Sequence, residues 1–553
     1  MGSTNNQAER AFSIKLWPPS ESTRLMLVER MTDNLSSVSF FSRKYGLLSK
    51  EEAAENAKRI EETAFLAAND HEAKEPNLDD SSVVQFYARE ASKLMLEALK
   101  RGPTSQKQEH EKERRPETVE VKETIFDISR GDRGFVDEKL AEELLRPLAE
   151  EGNSYTKICF SNRSFGLDSA RVAERVLIEV QRNLTDVDLS DFIAGRSEAE
   201  ALEVMTIFSS VLQGCELRSL NLSDNALGEK GVRAFGSLLK SQKTLEELYF
   251  MNNGISVEAA RAICELLPSV ERLRVLHFHN NMTGDDGAEA LSGLVRNCTA
   301  LEDFRCSSTR VGAEGGIALV GALGAGNRLK KLDLRDNMFG KKCGVALSRA
   351  LSGHLGLTEA YLSYLGFQDK GTIALANSLK EGAPSLKVLE IAGNDVTVKA
   401  APALAECLGL KRMLTKLVLS ENELKDEGSV VICGALVEGH EHLKELDLSS
   451  NFISGVGAKA AAESVINKPD FDLLNIDGNC ISEEGIDAVK DVLRRGVKGV
   501  TVLGSLEDNN AEGEGDDYED EDNDEDGDED DDGNESSDSD DDLEAKLKDL
   551  KMQ

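Results

Sequence analysis

A hydrophobic pattern repeats along most of the chain. The spacing Leu-x-x-Leu-x-Leu starts at Leu217 and returns every 28 or 29 residues as far as Phe471, and weaker copies start at Leu184 and Tyr155. Apolar residues at this alternating spacing predict a short strand with one buried face. The stretches between copies, such as GEKGVRAFGSLLKSQ, place apolar residues on one face of a helix. The pattern therefore predicts a series of units that each contain one strand and one helix.

A period near 28 residues with this motif is typical of leucine-rich repeats. A single repeat cannot bury its apolar face alone, so neighbouring repeats stack into a curved solenoid whose concave wall is a parallel sheet. We therefore predict an α/β fold over residues 154–506, a horseshoe of the ribonuclease-inhibitor type. In LRSLNLSDNALG, Asn225 follows the strand at a position that carries asparagine in many repeats. On the pattern alone, Asn225 is an ordinary asparagine that bonds the turn backbone.

A small all-α domain is predicted ahead of the repeats, over residues 1–115. Ser49 and Glu52 have the spacing of a capping box at a helix start, and a later helical pattern stops at Gly102-Pro103. Residues 116–153 are predicted to form a linker and an N-terminal cap for the first repeat.

Charge is distributed unevenly along the chain. The net charge is −37, and residues 507–553 contain 25 acidic and three basic residues. We expect this tail to be disordered because its composition cannot form a core. The negative charge argues against binding to nucleic acid or to an anionic membrane. Two interpretations of the tail stay open: it attracts a basic partner, or it only keeps the protein soluble.

The sequence lacks the motifs of most catalytic and cofactor-binding sites. It has no phosphate-binding G-x-x-x-x-G-K-[ST] motif and no histidine pair at metal-ligand spacing, and its nine cysteines are scattered singly. It also shows no secretory signal and no apolar run of the roughly 20 residues that span a bilayer. We therefore expect an intracellular interaction protein without metal, cofactor or direct membrane insertion.

One repeat is longer than its neighbours. The step from Leu184 to Leu217 is 33 residues, and the excess lies after the strand, in DFIAGRSEAEAL. Insertions in repeat proteins map to loops on one face, which is often the binding face. Gly195 and Arg196 would present a five-donor cation there. A solvated surface arginine is the alternative interpretation.

Several stretches resemble known families. KLWPPSESTRLMLVERM resembles the WPP domain of plants, and DLSDFIAGR, LNLSDNALG and LDLRDNMFG resemble the Ran GTPase-activating proteins. The ordered combination of WPP domain, repeats and acidic tail resembles the plant members of that family over nearly the whole chain.

The resemblance implies a function. Members of the family accelerate hydrolysis of the GTP bound to Ran, acting on the nucleotide and Mg²⁺ that Ran holds, and have no cofactor or enzymatic activity of their own. They work without an arginine finger, and an asparagine at the repeat edge orients Ran's catalytic glutamine. The resemblance makes Asn225 this catalytic residue, Asp336 an acidic residue needed for activity and Arg196 an interface arginine. Further partner-binding residues are predicted to be Asp224, Asn252, Asn280 and Arg335.

The resemblance also implies partners and a location. A Ran-binding protein is an expected partner besides Ran in its GTP form. Trp17, Pro18 and Pro19 would bind coiled-coil, membrane-anchored proteins of the nuclear envelope, although Trp17 could instead pack on its own helices. We expect the protein in the cytoplasm, at the outer face of the envelope and its pores, and at division structures such as the cell plate or spindle. The alternative functions are a non-catalytic repeat scaffold and a tether whose repeats have lost activity.

Overall fold

The computed structural model describes residues 18–19, 21–36, 49–74, 80–101, 124–130, 133–150 and 152–510. The chain divides into two compact units, Met1–Val121 and Lys122–Gln553, which are treated separately below. The predictions for Trp17, for the linker and for the acidic tail beyond residue 510 lie outside the described residues, and they stay predictions.

Unit 1 is helical, as the sequence predicts. Its described helices are α1 (Glu21–Ser36), α2 (Lys50–Lys74) and α3 (Asp80–Arg101). The backbone N–H of Glu52 donates to Ser49 Oγ at 3.2 Å, and the Ser49 N–H donates to Glu52 Oε2 at 3.3 Å, which confirms the capping box. Small residues that include Ala53, Ala57 and Ala64 are fully buried, so the helices approach closely.

A charged cluster joins the three helices of unit 1. Glu61 on α2 is 5% exposed and accepts hydrogen bonds from Arg24 Nε at 2.6 Å and from Tyr87 Oη at 2.7 Å. The Arg24 guanidinium also lies 3.6 Å from the centre of the Phe65 ring. Burial by itself would raise the pKa of Glu61, but the hydrogen bonds from Arg24 and Tyr87 hold it below its usual range. The ionised carboxylate therefore links α1, α2 and α3.

Unit 2 is the predicted solenoid of strands and helices. Its strands are β1 (Thr124–Asp127), β2 (Gly134–Val136), β3 (Tyr155–Cys159), β4 (Arg163–Phe165), β5 (Asp186–Asp188), β6 (Ser219–Asn221), β7 (Glu247–Tyr249), β8 (Val275–His277), β9 (Asp303–Arg305), β10 (Lys331–Asp333), β11 (Glu359–Tyr361), β12 (Val388–Glu390), β13 (Lys416–Val418), β14 (Glu445–Asp447) and β15 (Leu473–Asn475). Its α-helices are α4 (Glu138–Leu145), α5 (Leu167–Val180), α6 (Glu198–Leu212), α7 (Gly228–Ala234), α8 (Gly236–Ser241), α9 (Val257–Leu266), α10 (Gly284–Asn297), α11 (Ala313–Leu323), α12 (Gly340–Leu351), α13 (Gln368–Glu381), α14 (Ala401–Leu408), α15 (Lys425–Leu436), α16 (Gly455–Val465) and α17 (Glu483–Leu493). Short 3₁₀ helices cover Arg146–Ala149 and Gly499–Val502.

The strands form one long parallel sheet. Thirteen of them lie in the order β1-β3-β5 and then β6 to β15 in sequence, and every pairing is parallel. The TIFD segment supplies β1 at the edge of this sheet, which agrees with the predicted N-terminal cap. Strands β2 and β4 pair separately in a small second sheet. The capping segment therefore adds strands to both sheets.

The core between sheet and helices is continuous through unit 2. The repeated leucines, such as Leu217, Leu220 and Leu222, are fully buried. Ten phenylalanines are also fully buried: Phe160, Phe165, Phe192, Phe208, Phe235, Phe250, Phe278, Phe304, Phe339 and Phe367. Each repeat thus buries its apolar residues against its neighbours, which is why the solenoid forms only from stacked copies.

Candidate functional site

Each of five adjacent repeats has a buried polar residue after its strand, which we call the ladder residue: Asn225, Asn253, Asn281, Thr309 and Asn337. The residue before each of them has an unusual backbone. Asp224, Asn252, Asn280, Ser308 and Asp336 have φ between +50° and +62°. Asparagine and aspartate tolerate this left-handed conformation better than most residues. The five residues are spaced by 28 positions in adjacent repeats, just after strands β6 to β10. They form one edge of the solenoid, which we call the polar row.

Hydrogen bonds connect the first three side chains of the polar row. Asn252 Nδ2 donates to Asp224 Oδ1 at 3.0 Å, and Asn280 Nδ2 donates to Asn252 Oδ1 at 2.9 Å. All three residues are exposed. The Asn252 carboxamide is therefore held in one orientation from both sides, and it keeps one N–H and one oxygen lone pair for a partner.

Asn225 lies beneath the polar row and not within it. Its side chain is 2% exposed, and Nδ2 donates to the carbonyls of Leu189 at 2.8 Å and Leu222 at 2.9 Å. Its Oδ1 accepts from the Phe192 N–H at 3.1 Å. The expected direct contact between Asn225 and a partner does not fit this geometry, because both amide hydrogens and the carbonyl oxygen already bond the backbone. The adjacent Asp224, by contrast, is exposed.

Asn422 offers a matched test of the structural role of Asn225. It is 3% exposed, and its Nδ2 donates to Ile391 and Leu419 carbonyls at 3.1 and 3.0 Å. We expect Asn225→Ala and Asn422→Ala to lower the free energy of unfolding by similar amounts, each about 1–3 kcal/mol, because each leaves buried backbone groups unpaired. Urea unfolding of both variants measures this. A negligible loss for Asn225→Ala beside a large one for Asn422→Ala would contradict it.

An open groove of about 540 Å³ lies along the polar row. Asn252, Asn280, Ser308 and Asp336 line it, together with Met282, Arg310 and Met338. Met338 is 68% exposed and Met282 is 49% exposed. Both methionines directly follow a ladder asparagine, in HNNM and RDNM, and this signal was missed in the sequence. The groove therefore combines polar groups of fixed orientation with adaptable apolar side chains.

Arg196 is held in place by several groups. Its Nη2 donates to the Ser164 carbonyl at 2.7 Å, its Nε to Ser164 Oγ at 3.1 Å, and its Nη1 lies 3.4 Å from Glu200 Oε1. Its guanidinium lies 4.8 Å from the centre of the Phe135 ring. The side chain is only 16% exposed. The interpretation of Arg196 as a freely solvated surface arginine is therefore wrong.

Arg335 follows strand β10 by two residues. It binds Asp333 through Nε and Nη2 at 3.0 and 2.7 Å, and its Nη1 donates to Glu390 Oε2 at 3.0 Å. The hydrogen bond to Asp333 raises the pKa of Arg335, while burial opposes this shift. Arg335 is thus fixed beside Asp336, the last residue of the polar row.

A second ion-pair group lies on the neighbouring repeat. His277 Nε2 lies 3.1 Å from Asp303 Oδ1, and Arg305 Nε lies 3.0 Å from the same oxygen. Burial alone would raise the pKa of Asp303, but the hydrogen bonds from His277 and Arg305 lower it to about 2. Asp303 therefore stays ionised at neutral pH, and the group links the adjacent strands β8 and β9.

Among the described ranges, no group of three or more histidine, cysteine, aspartate or glutamate side chains is arranged to hold a metal ion. Within the same ranges no helix combines the length and apolar character that a membrane crossing requires. The site's chemistry in this part of the chain is that of amide, carboxylate and guanidinium groups.

The predicted Trp17-Pro18-Pro19 site is only partly visible. Pro18 is exposed and Pro19 is half-buried, just ahead of α1, whereas Trp17 lies outside the described residues. The polar row, by contrast, contains Asp224, Asn252, Asn280 and Asp336. Arg196 lies a few residues after Leu189 and Phe192, whose backbone groups form hydrogen bonds with the Asn225 side chain.

Comparison with known proteins agrees with both units. The family described as "WPP domain" matches residues 13–109, and the family "Leucine Rich repeat" matches residues 215–236, 411–433 and 439–460. The "MFP1 attachment factor 1" of Solanum lycopersicum is 38% identical over 89 residues, which cover 16% of this chain and 57% of that protein.

Two relatives match nearly the whole chain. The "RAN GTPase-activating protein 2" of Arabidopsis thaliana is 64% identical over 504 residues, which cover 91% of this chain and 92% of the relative. The "RAN GTPase-activating protein 1" of the same plant is 58% identical over 512 residues, covering 93% and 94%. Identity of this extent includes the repeats and the N-terminal helical unit together. The chain therefore belongs to the family of Ran GTPase-activating proteins.

Proposed function

We propose that this protein accelerates the hydrolysis of GTP bound to Ran and so sustains the RanGTP/RanGDP gradient for nucleocytoplasmic transport and cell division. The observation that carries this function is the identity of 64% and 58% over nearly the whole chain with two Ran GTPase-activating proteins. The exposed polar row and its groove supply a surface for the GTPase. Ran brings GTP and Mg²⁺, and this chain acts as an activator with no cofactor of its own.

Asn252 is the residue that best fits the proposed catalytic contact. Hydrolysis of GTP requires a positioned water, which a glutamine of the GTPase orients. A fixed carboxamide can hold that glutamine in one rotamer through a hydrogen-bond pair. The hydrogen bonds that Asn252 donates to Asp224 and accepts from Asn280 fix its side chain before Ran arrives, so little freedom is lost on contact. In this mechanism Asn225 is a structural residue that holds the loop carrying Asp224.

Arg196 acts as an interface residue in this mechanism and not as an inserted finger. Its hydrogen bonds to Ser164 and its ion pair with Glu200 hold the guanidinium against unit 2. Extending it toward a nucleotide would break these contacts. Asp336 contacts Ran at the other end of the polar row, and the pairing of Arg335 with Asp333 keeps that end rigid.

Activation itself is tested by single-turnover hydrolysis of GTP-loaded Ran with and without the full-length chain. We expect an acceleration of at least about 10³-fold, in the range of other GTPase activators. Binding to Ran–GTP without acceleration would favour the alternative, a non-catalytic repeat scaffold at the nuclear envelope. Adding a Ran-binding protein to the same reaction tests whether it is a further partner, because a partner would change the measured rate of hydrolysis.

Unit 1 is proposed to place the protein at the nuclear envelope, with Trp17, Pro18 and Pro19 binding a coiled-coil anchor. The match to the WPP domain over residues 13–109 supports this location. In dividing cells the same unit would mark division structures, and the remaining protein is cytoplasmic. Imaging of fluorescent residues 1–115 and 124–553 separates the two units. Rim staining by the repeats in place of residues 1–115 would reject this role for unit 1.

A further inference from the structure

Phe135 is an exposed aromatic residue beside the candidate site. It lies in the middle of β2 and its side chain is 64% exposed. A single exposed apolar side chain is common on protein surfaces. Phe135 differs because its ring contacts two residues of the long loop after β5, Gly195 and Arg196.

The ring of Phe135 supports the Arg196 guanidinium. The guanidinium carbon lies 4.8 Å from the ring centre, within the range of a cation–π contact. The same carbon lies against Gly166, where an added Cβ would be only 3.0 Å away. The backbone carbonyls of Ser164 and Val136 accept hydrogen bonds from Arg196 Nη2 at 2.7 and 3.5 Å. Residues up to 61 positions away thus define one orientation for Arg196.

The close approach of Phe135 to Gly195 restricts the loop after β5. The Gly195 φ of +76° favours glycine, and a Cβ there would lie 2.9 Å from Phe135 Cζ. Arg133, just before β2, forms an ion pair with Asp191. Asp191 has φ +51° and occupies the position equivalent to Asp224 in the preceding repeat. Segment 133–136 is therefore fastened to the continuation of the polar row.

We propose that Phe135 is a positioning residue for Arg196 and, through the exposed part of its ring, a contact residue for Ran. This inference rests on the proposed function. Continuity with the polar row identifies the occupant, because Asp191 extends that row by one repeat and Phe135 lies beside the loop that follows it. An aromatic ring that holds a cation flat also adds apolar contact area at the rim of such an interface.

The test uses full-length variants and measures the maximal rate and the Ran–GTP concentration that gives half of it. We expect Phe135→Ala to raise that concentration about tenfold while the maximal rate stays within twofold, since a lost cation–π contact and its apolar area weaken binding. Phe135→Tyr keeps the aromatic ring and should therefore keep the half-maximal Ran–GTP concentration of the wild type. Ile125→Ala is the control, because Ile125 is 59% exposed on the neighbouring β1.

A double-mutant cycle tests the positioning role. Arg196→Ala and the double variant should raise the half-maximal concentration by no more than about twofold beyond Phe135→Ala, because the two residues act as a unit. Three results would overturn the inference. The effects of the two substitutions on the half-maximal concentration could be additive, or Phe135→Ala could leave that concentration within twofold of the wild type. The third is that Phe135→Ala raises the concentration and Phe135→Tyr raises it equally. Failure of the wild type to accelerate hydrolysis would overturn the proposed function instead.

Discussion

Replacing Asn252 with alanine should lower the maximal rate at which this protein stimulates GTP hydrolysis by Ran about 100-fold, while the affinity for Ran–GTP changes little. A preorganised polar group that acts on the transition state is worth about 10²–10³ in rate. Asn252 is held for that task by Asp224 and Asn280, at 3.0 and 2.9 Å. Single-turnover kinetics at saturating activator measure the rate, and a binding titration measures the affinity. This split between rate and affinity is the mark of an interaction made in the transition state.

Two variants control for structural effects of the Asn252 substitution. Ser450 has φ +52° at the equivalent position of a distant repeat, so Ser450→Ala tests an alanine in the same backbone conformation. Asn225→Ala removes a buried ladder asparagine in the neighbouring repeat. We expect the first control to keep full activity and the second to lose stability more than rate. If Asn225→Ala loses 100-fold in rate and Asn252→Ala does not, the catalytic contact is made by Asn225, as the family resemblance implies.

Replacing Glu61 with alanine should destabilise unit 1 by about 3 kcal/mol. Removing the buried member of an ion pair leaves the other without its counter-charge, and the Arg24 side chain is itself only 28% exposed. Here the change removes the acceptor that bonds both Arg24 and Tyr87, at 2.6 and 2.7 Å. A small helical unit has only about 5 kcal/mol of stability to lose. Thermal unfolding of residues 1–115, followed by far-ultraviolet circular dichroism, measures the change.

Glu62 provides the control for Glu61, because it is the next residue of α2 and is exposed. Glu62→Ala should change the free energy of unfolding by less than about 0.5 kcal/mol.

The contribution of Glu61 to stability also depends on pH, because the pKa of Glu61 is lower in the folded state than in the unfolded chain. The stability it contributes is complete above the unfolded pKa of about 4.3 and is lost as the pH falls through the lower folded value. A stability gap between wild type and Glu61→Gln that stays constant from pH 7 to pH 2 would contradict this origin.

The fold of unit 2 could be predicted from the sequence because the repeat is local. Leu217, Leu220 and Leu222 set a strand, and the helix that follows has its own apolar face. The capping box at Ser49 and the stop at Gly102-Pro103 are equally local signals; the structure confirms the helix start at Ser49, whereas Gly102 and Pro103 lie outside the described residues. Signals within a few residues of each other are enough to define such elements.

The site was only partly predictable. Asp224, Asn252 and Asn280 as partner-binding residues, and Asp336 from the family resemblance, stay predictions, and the structure adds that all four lie in the polar row. The sequence did not distinguish the two adjacent positions of each repeat, because Asp224 and Asn225 are both polar and both follow the strand. Met282 and Met338 were missed for a related reason: an apolar residue after the ladder asparagine reads as core until its exposure is known.

By itself, the sequence determined the repeating fold and the family, since both depend on motifs and periods. Only the tertiary structure decided which asparagine is available. The left-handed backbone at Asn252 turns its side chain outward, whereas Asn225 is bound by the carbonyls of Leu189 and Leu222. The setting of Arg196 was likewise decided only by folding, because Phe135 and Ser164 lie 61 and 32 positions away along the chain and meet it through strand pairing.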